Sequence, residues 1–228
     1  MNYLQLVQRT AAQAGHRSLN IQTVVDQTGM AANFVDWVND AWVRLQLMQY
    51  WNFMRSSATF SMTAGTQTYS MTILGITNLR EWAKSKDSKA RLKLVIGDAY
   101  STIEQIDRQL FIDRYERQAA ASAQPSYFCM TENYEIKFDA VPVEAGTVSG
   151  YYWRTASRMV NDDDEPEMSE DWHDAIIGLA LKEYAEYDES PSVMTKGRRI
   201  FASTYERMCI DELPDFTLGN NPVAVGWR

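Results

Sequence analysis

The chain has 228 residues, a formal net charge of −8 and 45% hydrophobic residues. That length admits one large domain or two small ones with a full core. The acidic balance excludes a protein built chiefly to grip nucleic-acid phosphates, which needs clustered Lys and Arg, and suits a soluble surface or a wall past which DNA slides without sticking.

The opening lacks a basic start followed by an apolar run, and no stretch approaches about 18 apolar residues, so neither a secretory signal nor a membrane span is expected. Cys129 and Cys209 lie far apart with neither CxxC nor metal-type spacing, and both read as reduced core thiols.

Tyr3, Leu6, Val7, Thr10, Ala11 and Ala14 sketch a first helix over Asn2–Ala14, with Gly15 as its stop. A polar connector follows to Gly29. The second helix, about Met30–Tyr50, carries Phe34, Trp37, Val38, Ala41, Trp42, Leu45 and Met48 at three-four spacing, a broad aromatic packing face. Asp36, Asn39, Asp40, Arg44 and Gln46 fall between and are assigned to solvent or a partner.

From Ala58 the period changes to two. Ala58–Met62 and Gln67–Met71 read as a hairpin-like pair around Ala64-Gly65. Ile73–Trp82 and Arg91–Ile96 read as strands joined by an exposed tip, Lys84–Lys89. Thr102–Ala121 reads as a helix inside this region, and Ser126–Met130, Tyr134–Phe138 and Thr147–Arg154 as further strands. The run Asn161–Asp174 holds eight acidic residues and no basic one, and marks the return to helix. Ser169 caps a third helix, Glu170–Tyr187, and Ser190-Pro191 opens a fourth that runs to about Glu212. Leu213–Arg228 holds Pro and Gly and cannot continue the helix. It keeps spaced apolar residues, so it is expected to dock, on its own domain or on a neighbour.

Chemistry-bearing residues are few. The run Asp162, Asp163, Asp164, Glu165, Glu167 reads as a solvated loop, a divalent-cation site or a negative channel surface, but lacks the order of a calcium loop. The histidines are His16 and His173. Asp171 and Asp174 flank His173, yet helix neighbours one or two apart face away from each other. Glu183, Glu186, Asp188 and Glu189 resemble the carboxylates of any acidic helix. Lys84, Lys86, Lys89, Arg91 and Lys93, with Arg80, form a basic cluster fit for an acidic partner, for DNA phosphates or simply for solubility. Lys196, Arg198 and Arg199 form another on the fourth helix. There is no Gly-rich phosphate loop, and no metal, cofactor or catalytic residue is expected.

The opening MNYLQLVQRTAAQAG, the segment VDWVNDAWVRLQ at Val35–Gln46 followed by Trp51, and the paired C-terminal helices resemble head-to-tail connector (adaptor) proteins of tailed bacteriophages. The β-rich middle resembles the insertion of larger adaptors such as podophage tail tubular protein A. The resemblance implies a virion protein at the head-tail junction, assembled in the host cytoplasm as a ring of about twelve copies. The portal protein and tail proteins (nozzle, stopper or tail tube) are the implied partners, with double-stranded DNA passing through the lumen. Leu213, Phe216, Leu218, Val223, Val225 and Trp227 then become a portal-docking arm, and Phe34, Trp37, Val38, Trp42 and Leu45 the subunit packing helix.

The expected fold is α+β, with a helical bundle of about four helices from both chain ends (1–57 and 160–212), a β-rich insertion (58–159) and an extended C-terminal arm (213–228). The expected role is structural. The alternatives are a tail-side stopper or tail completion protein and, in another class, a hydrolase built on the acidic residues.

Overall fold

The structure, a computed structural model, describes residues 1–85, 87–117 and 119–213. The fold is mixed α+β, and the chain divides into two compact units, 1–54 with 156–228, and 55–155.

The first unit is helical. Helix α1 (Tyr3–Gln13) begins at Asn2, whose side chain accepts from the Gln5 amide while the Gln5 side chain reaches back to the Asn2 amide. The next two orphan amides are taken by the returning chain: Tyr3 N–H donates to the Asp164 carbonyl at 2.7 Å and Leu4 N–H to the Asp162 carbonyl at 3.2 Å. The donors that every helix start leaves open are thus satisfied here by protein. Gly15, at φ +99°, ends the helix in the left-handed conformation that a side chain disfavours.

Helix α2 (Gly29–Met48) buries Phe34, Val38, Ala41, Trp42 and Leu45. Its other side is only partly given over to solvent. Gln46, 1% exposed, donates to the Ser157 carbonyl at 2.8 Å and accepts from the Ser157 amide at 3.0 Å. Asn39 makes the same two-bond clasp on Met159, at 2.9 and 3.1 Å. Asp40 pairs with Arg158, and Arg44 with Glu183. The assignment of Asn39 and Gln46 to solvent or a partner is therefore corrected, whereas Asp36, Asp40 and Arg44 are exposed as expected. A primary amide presents a donor and an acceptor side by side, so it fits an extended backbone as a second strand would.

A 3₁₀ turn, Glu170–Trp172, leads into a long helix over His173–Tyr187, and a further helix spans Pro191–Glu212. The first of these is buried on most sides, and the two meet backbone to backbone. A Cβ added to Gly178 would lie 2.7 Å from the Phe201 nitrogen, and one added to Gly197 would lie 2.9 Å from the Gly178 carbonyl oxygen. Trp51 is fully buried, donates from its indole to the Leu45 carbonyl at 2.7 Å and meets Tyr205 edge to face.

The second unit is a curled sheet. Its strands are β1 (Arg55–Met62), β2 (Thr68–Ser70), β3 (Leu79–Trp82), β4 (Arg91–Ile96), β5 (Ala99–Gln105), β6 (Ala121–Ser122), β7 (Tyr127–Met130), β8 (Glu135–Phe138), β9 (Ala140–Val141) and β10 (Gly146–Arg154). The main sheet runs β1-β10-β4-β5-β7-β8-β2, with β3 also on β10, and β6 pairs β9 apart from it. Pairing is antiparallel except for β5 with β7 and β6 with β9. Phe60, Met62, Trp82, Leu92, Leu94, Ile103, Phe128, Ile136, Phe138 and Val148 fill the core.

Three sequence expectations fail here. β1 and β2 are not a hairpin, because β1 pairs β10 and β2 pairs β8. A period of two identifies a strand but not its partner. The strand expected over Ile73–Trp82 is confined to Leu79–Trp82, since Gly75 at φ +68° turns the chain and leaves Ile73 exposed. The helix expected over Thr102–Ala121 is strand as far as Gln105. The two-residue turn Gly97-Asp98 sets Ile96 opposite Ala99 and zips β5 along β4. Helix appears only as a single turn, α3 (Arg108–Phe111), capped by Asp107, with a π-helical turn over Ile112–Glu116.

Candidate assembly surfaces

The residues expected to form the packing helix lie within the core of their own chain. Phe34, Val38, Trp42 and Leu45 are buried, and Trp37 is half-buried against Phe34, Tyr184 and Tyr187, with ring centroids 5.2, 5.8 and 5.4 Å away.

Beside this aromatic cluster runs a polar chain not anticipated from the sequence. Tyr184 donates its hydroxyl proton to Asp188 at 2.8 Å, and His16 Nε2 lies 3.0 Å from the same oxygen. Since the phenol has one proton and gives it to the carboxylate, His16 must donate from Nε2. Burial, and secondarily Asp188, push the Tyr184 phenol up to about 12, so it stays protonated at neutral pH. The chain locks the turn after α1 to the end of the His173–Tyr187 helix.

The acidic run is largely engaged. Asp162 accepts from the Val24 amide at 2.6 Å and the Thr23 hydroxyl at 3.1 Å while its carbonyl holds α1. Asp164 accepts from the Asn161 and Val160 amides, which hold its carboxyl below the usual carboxylate range. Asp163 and Glu165 are exposed. Among the described residues no three His, Cys, Asp or Glu side chains gather in a metal-holding group. His173 is buried, 2% exposed, and burial lowers its pKa. The run is a clasp on the helical unit, a role hidden from sequence because it uses backbone partners more than 130 positions away.

The basic cluster is also met by local carboxylates: Lys84 pairs with Glu81, Lys89 with Glu104, and Arg91 with both Asp87 and Glu104. The Lys93 ammonium lies 5.4 Å from the Tyr100 ring centroid. Lys86 lies outside the described residues. Below the sheet, Arg108 bridges Glu116 at 2.8 Å and Glu132 at 3.0 Å, and Lys137 joins Glu116 at 2.6 Å. Cys129 and Cys209 are free thiols. Burial pushes the Cys129 thiol up to about 11, so it is not poised as a nucleophile.

Of the expected docking arm, Leu213 is buried at the end of its helix. Phe216, Leu218, Val223, Val225 and Trp227 lie outside the described residues. A cavity of about 250 Å³ opens at the end of β1, lined by Met62, Ile96, Ala99, Gln124, Pro125, Pro142, Val143 and Glu144.

Most of these polar groups are engaged within their own chain. Comparison with family models supplies the class: the model described as SU10 adaptor protein matches residues 1–225, and the chain belongs to that family. It is a structural adaptor of bacteriophage virions. No curated protein matches the chain. No helix among the described residues is long and apolar enough to cross a membrane.

Proposed function

We propose that this chain is a head-tail adaptor that assembles head to tail into a ring of about twelve copies, seats beneath the portal, extends the DNA channel and presents the platform for the tail. The observation that carries this reading is the family match over residues 1–225, which includes both units. The charge of −8 supports it, because a negative lumen keeps DNA phosphates from adhering. In this reading the segment after Leu213 supplies an arm on which assembly at the portal depends, and no cofactor takes part.

Pull-down tests the docking order. The protein should be retained by portal rings from the same genome and should lose that retention on deletion of residues 214–228. Retention by the tail protein, with none by the portal, would instead favour a tail-side stopper or completion protein.

A further inference from the structure

The sheet unit carries a receptor for an extended segment. β1 is the outer strand of the main sheet and runs in unbroken register with β10 from Arg55–Trp153 to Met62–Gly146. The direction of its free groups follows from one bond. The Tyr151 carbonyl accepts from Ala83 N–H at 2.8 Å, on the β3 side of β10, so Tyr151 points away from β1. Its partner Ser57 is therefore in a non-hydrogen-bonded pair, and the Ser57 N–H and C=O point outward. By alternation Arg55, Thr59 and Ser61 do the same, and none of the four makes an outward backbone bond among the described residues.

An edge of this length and regularity, with no bulge, Pro or Lys, is a template for another strand. Along it the side chains alternate, with Arg55, Ser57, Thr59 and Ser61 exposed and Ala58, Phe60 and Met62 buried. The cavity lined by Met62 lies at the end of this inward row.

One segment of the chain has the matching pattern. In Pro222–Arg228, Val223, Val225 and Trp227 recur at a spacing of two, and the segment opens on a Pro, which a first strand position tolerates. Residues 214–228 start from the anchored Leu213 and reach up to about 50 Å when extended, against a radius of gyration of about 14 Å for a unit of this size. That is enough to reach a neighbouring copy. A strand edge and a strand-patterned arm are different surfaces of one chain, so their exchange is a heterologous contact, the kind that closes a ring.

We infer that the C-terminal arm of one copy adds to β1 of the next as a parallel strand. Val223, Val225 and Trp227 follow Ala58, Phe60 and Met62, and Trp227 enters the cavity at the strand's end. This rests on the ring proposed above and names the contact that closes it.

Disulfide trapping in the full chain tests it. In a Cys209→Ser background, Ala224→Cys is combined in turn with Ser57→Cys, Thr59→Cys and Ser61→Cys, all on outward positions. Mild oxidation should give a ladder of covalent multimers on a denaturing gel, strongest for Thr59→Cys. Adding Ser57→Pro or Trp227→Ala should reduce the ladder at least tenfold. A crosslink within single chains would overturn the exchange between copies, and no crosslink would overturn β1 as the receptor. Electron microscopy of the same samples on portal rings separates the two claims. A collar without crosslinks retains the adaptor reading and rejects this contact, whereas a ladder without a collar does the reverse.

Discussion

The helical unit and the sheet unit differ in where most of their backbone groups find partners. In the helical unit, several backbone groups outside regular structure are met by side chains: Gln46 and Asn39 clasp Ser157 and Met159, and the Asp162 and Asp164 carboxylates take the Val24, Val160 and Asn161 amides. In the sheet unit the strands pair with one another, and the outward backbone groups of Arg55, Ser57, Thr59 and Ser61 have no backbone partner among the described residues. The lesson concerns where assembly chemistry resides. Most of the helical aromatic face is buried within one chain, whereas the outward groups of β1 have no backbone partner among the described residues, which is where the proposed arm contact falls.

The contrast can be broken most severely at the contact between the two long C-terminal helices. Gly178→Ala sets a methyl group 2.7 Å from the Phe201 backbone, which cannot yield as a flexible side chain would. The expected loss is about 3 kcal/mol, read as a fall of roughly 6–12 °C in Tm. An unchanged Tm would mean that the helices separate at little cost.

Next in size is the clasp. Gln46→Ala removes both part-buried bonds to Ser157 and leaves a gap where a buried side chain stood, for an expected loss of about 2 kcal/mol by urea unfolding. An effect below about 0.5 kcal/mol would place that segment in contact with water and return Gln46 to the solvent-facing role its sequence position suggests.

A pH series sharpens the comparison further. Burial depresses the His173 pKa in the folded unit, so the unfolded chain binds the proton first as pH falls. Its contribution is fully present above about pH 6.5 and is lost as the pH falls from there toward the folded value, by at most about 1.4 kcal/mol per pH unit. Thermal melts between pH 7.5 and 5.5 should show this decline, and His173→Gln should flatten it. A wild-type Tm independent of pH over that range would contradict a buried neutral imidazole.

The smallest expected change in stability is at the edge. Ser57→Pro removes an outward N–H that no bond among the described residues uses, so the Tm should shift by less than about 2 °C while arm crosslinking falls at least tenfold. A large drop in Tm would show that the edge is already paired within the chain.

The four long helices were legible in the sequence because each carries a three-four stripe and a punctuating Asn, Ser, Gly or Pro. The strands were legible one by one, but their partners were not. β1 and β2 are neighbours along the chain, yet they pair with β10 and β8, a choice made by the whole sheet. Thr102 to Gln105 looked helical through the charges that follow, and the Gly97-Asp98 turn was the overlooked signal against it. The polar clasps escaped notice because Gln46 and Asn39 occupy positions of α2 that periodicity alone gives to solvent. Of the interaction surfaces, the arm was visible as a tail of spaced apolar residues. The receptor proposed for it was not, since a free backbone edge has no side-chain signature.

Electron microscopy of the full-length protein mixed with portal rings from the same genome tests the central claim most directly. The account predicts a closed collar of density with a central hole stacked on the portal, present with wild type and absent with Ser57→Pro. Bare portals with the wild-type protein would contradict it.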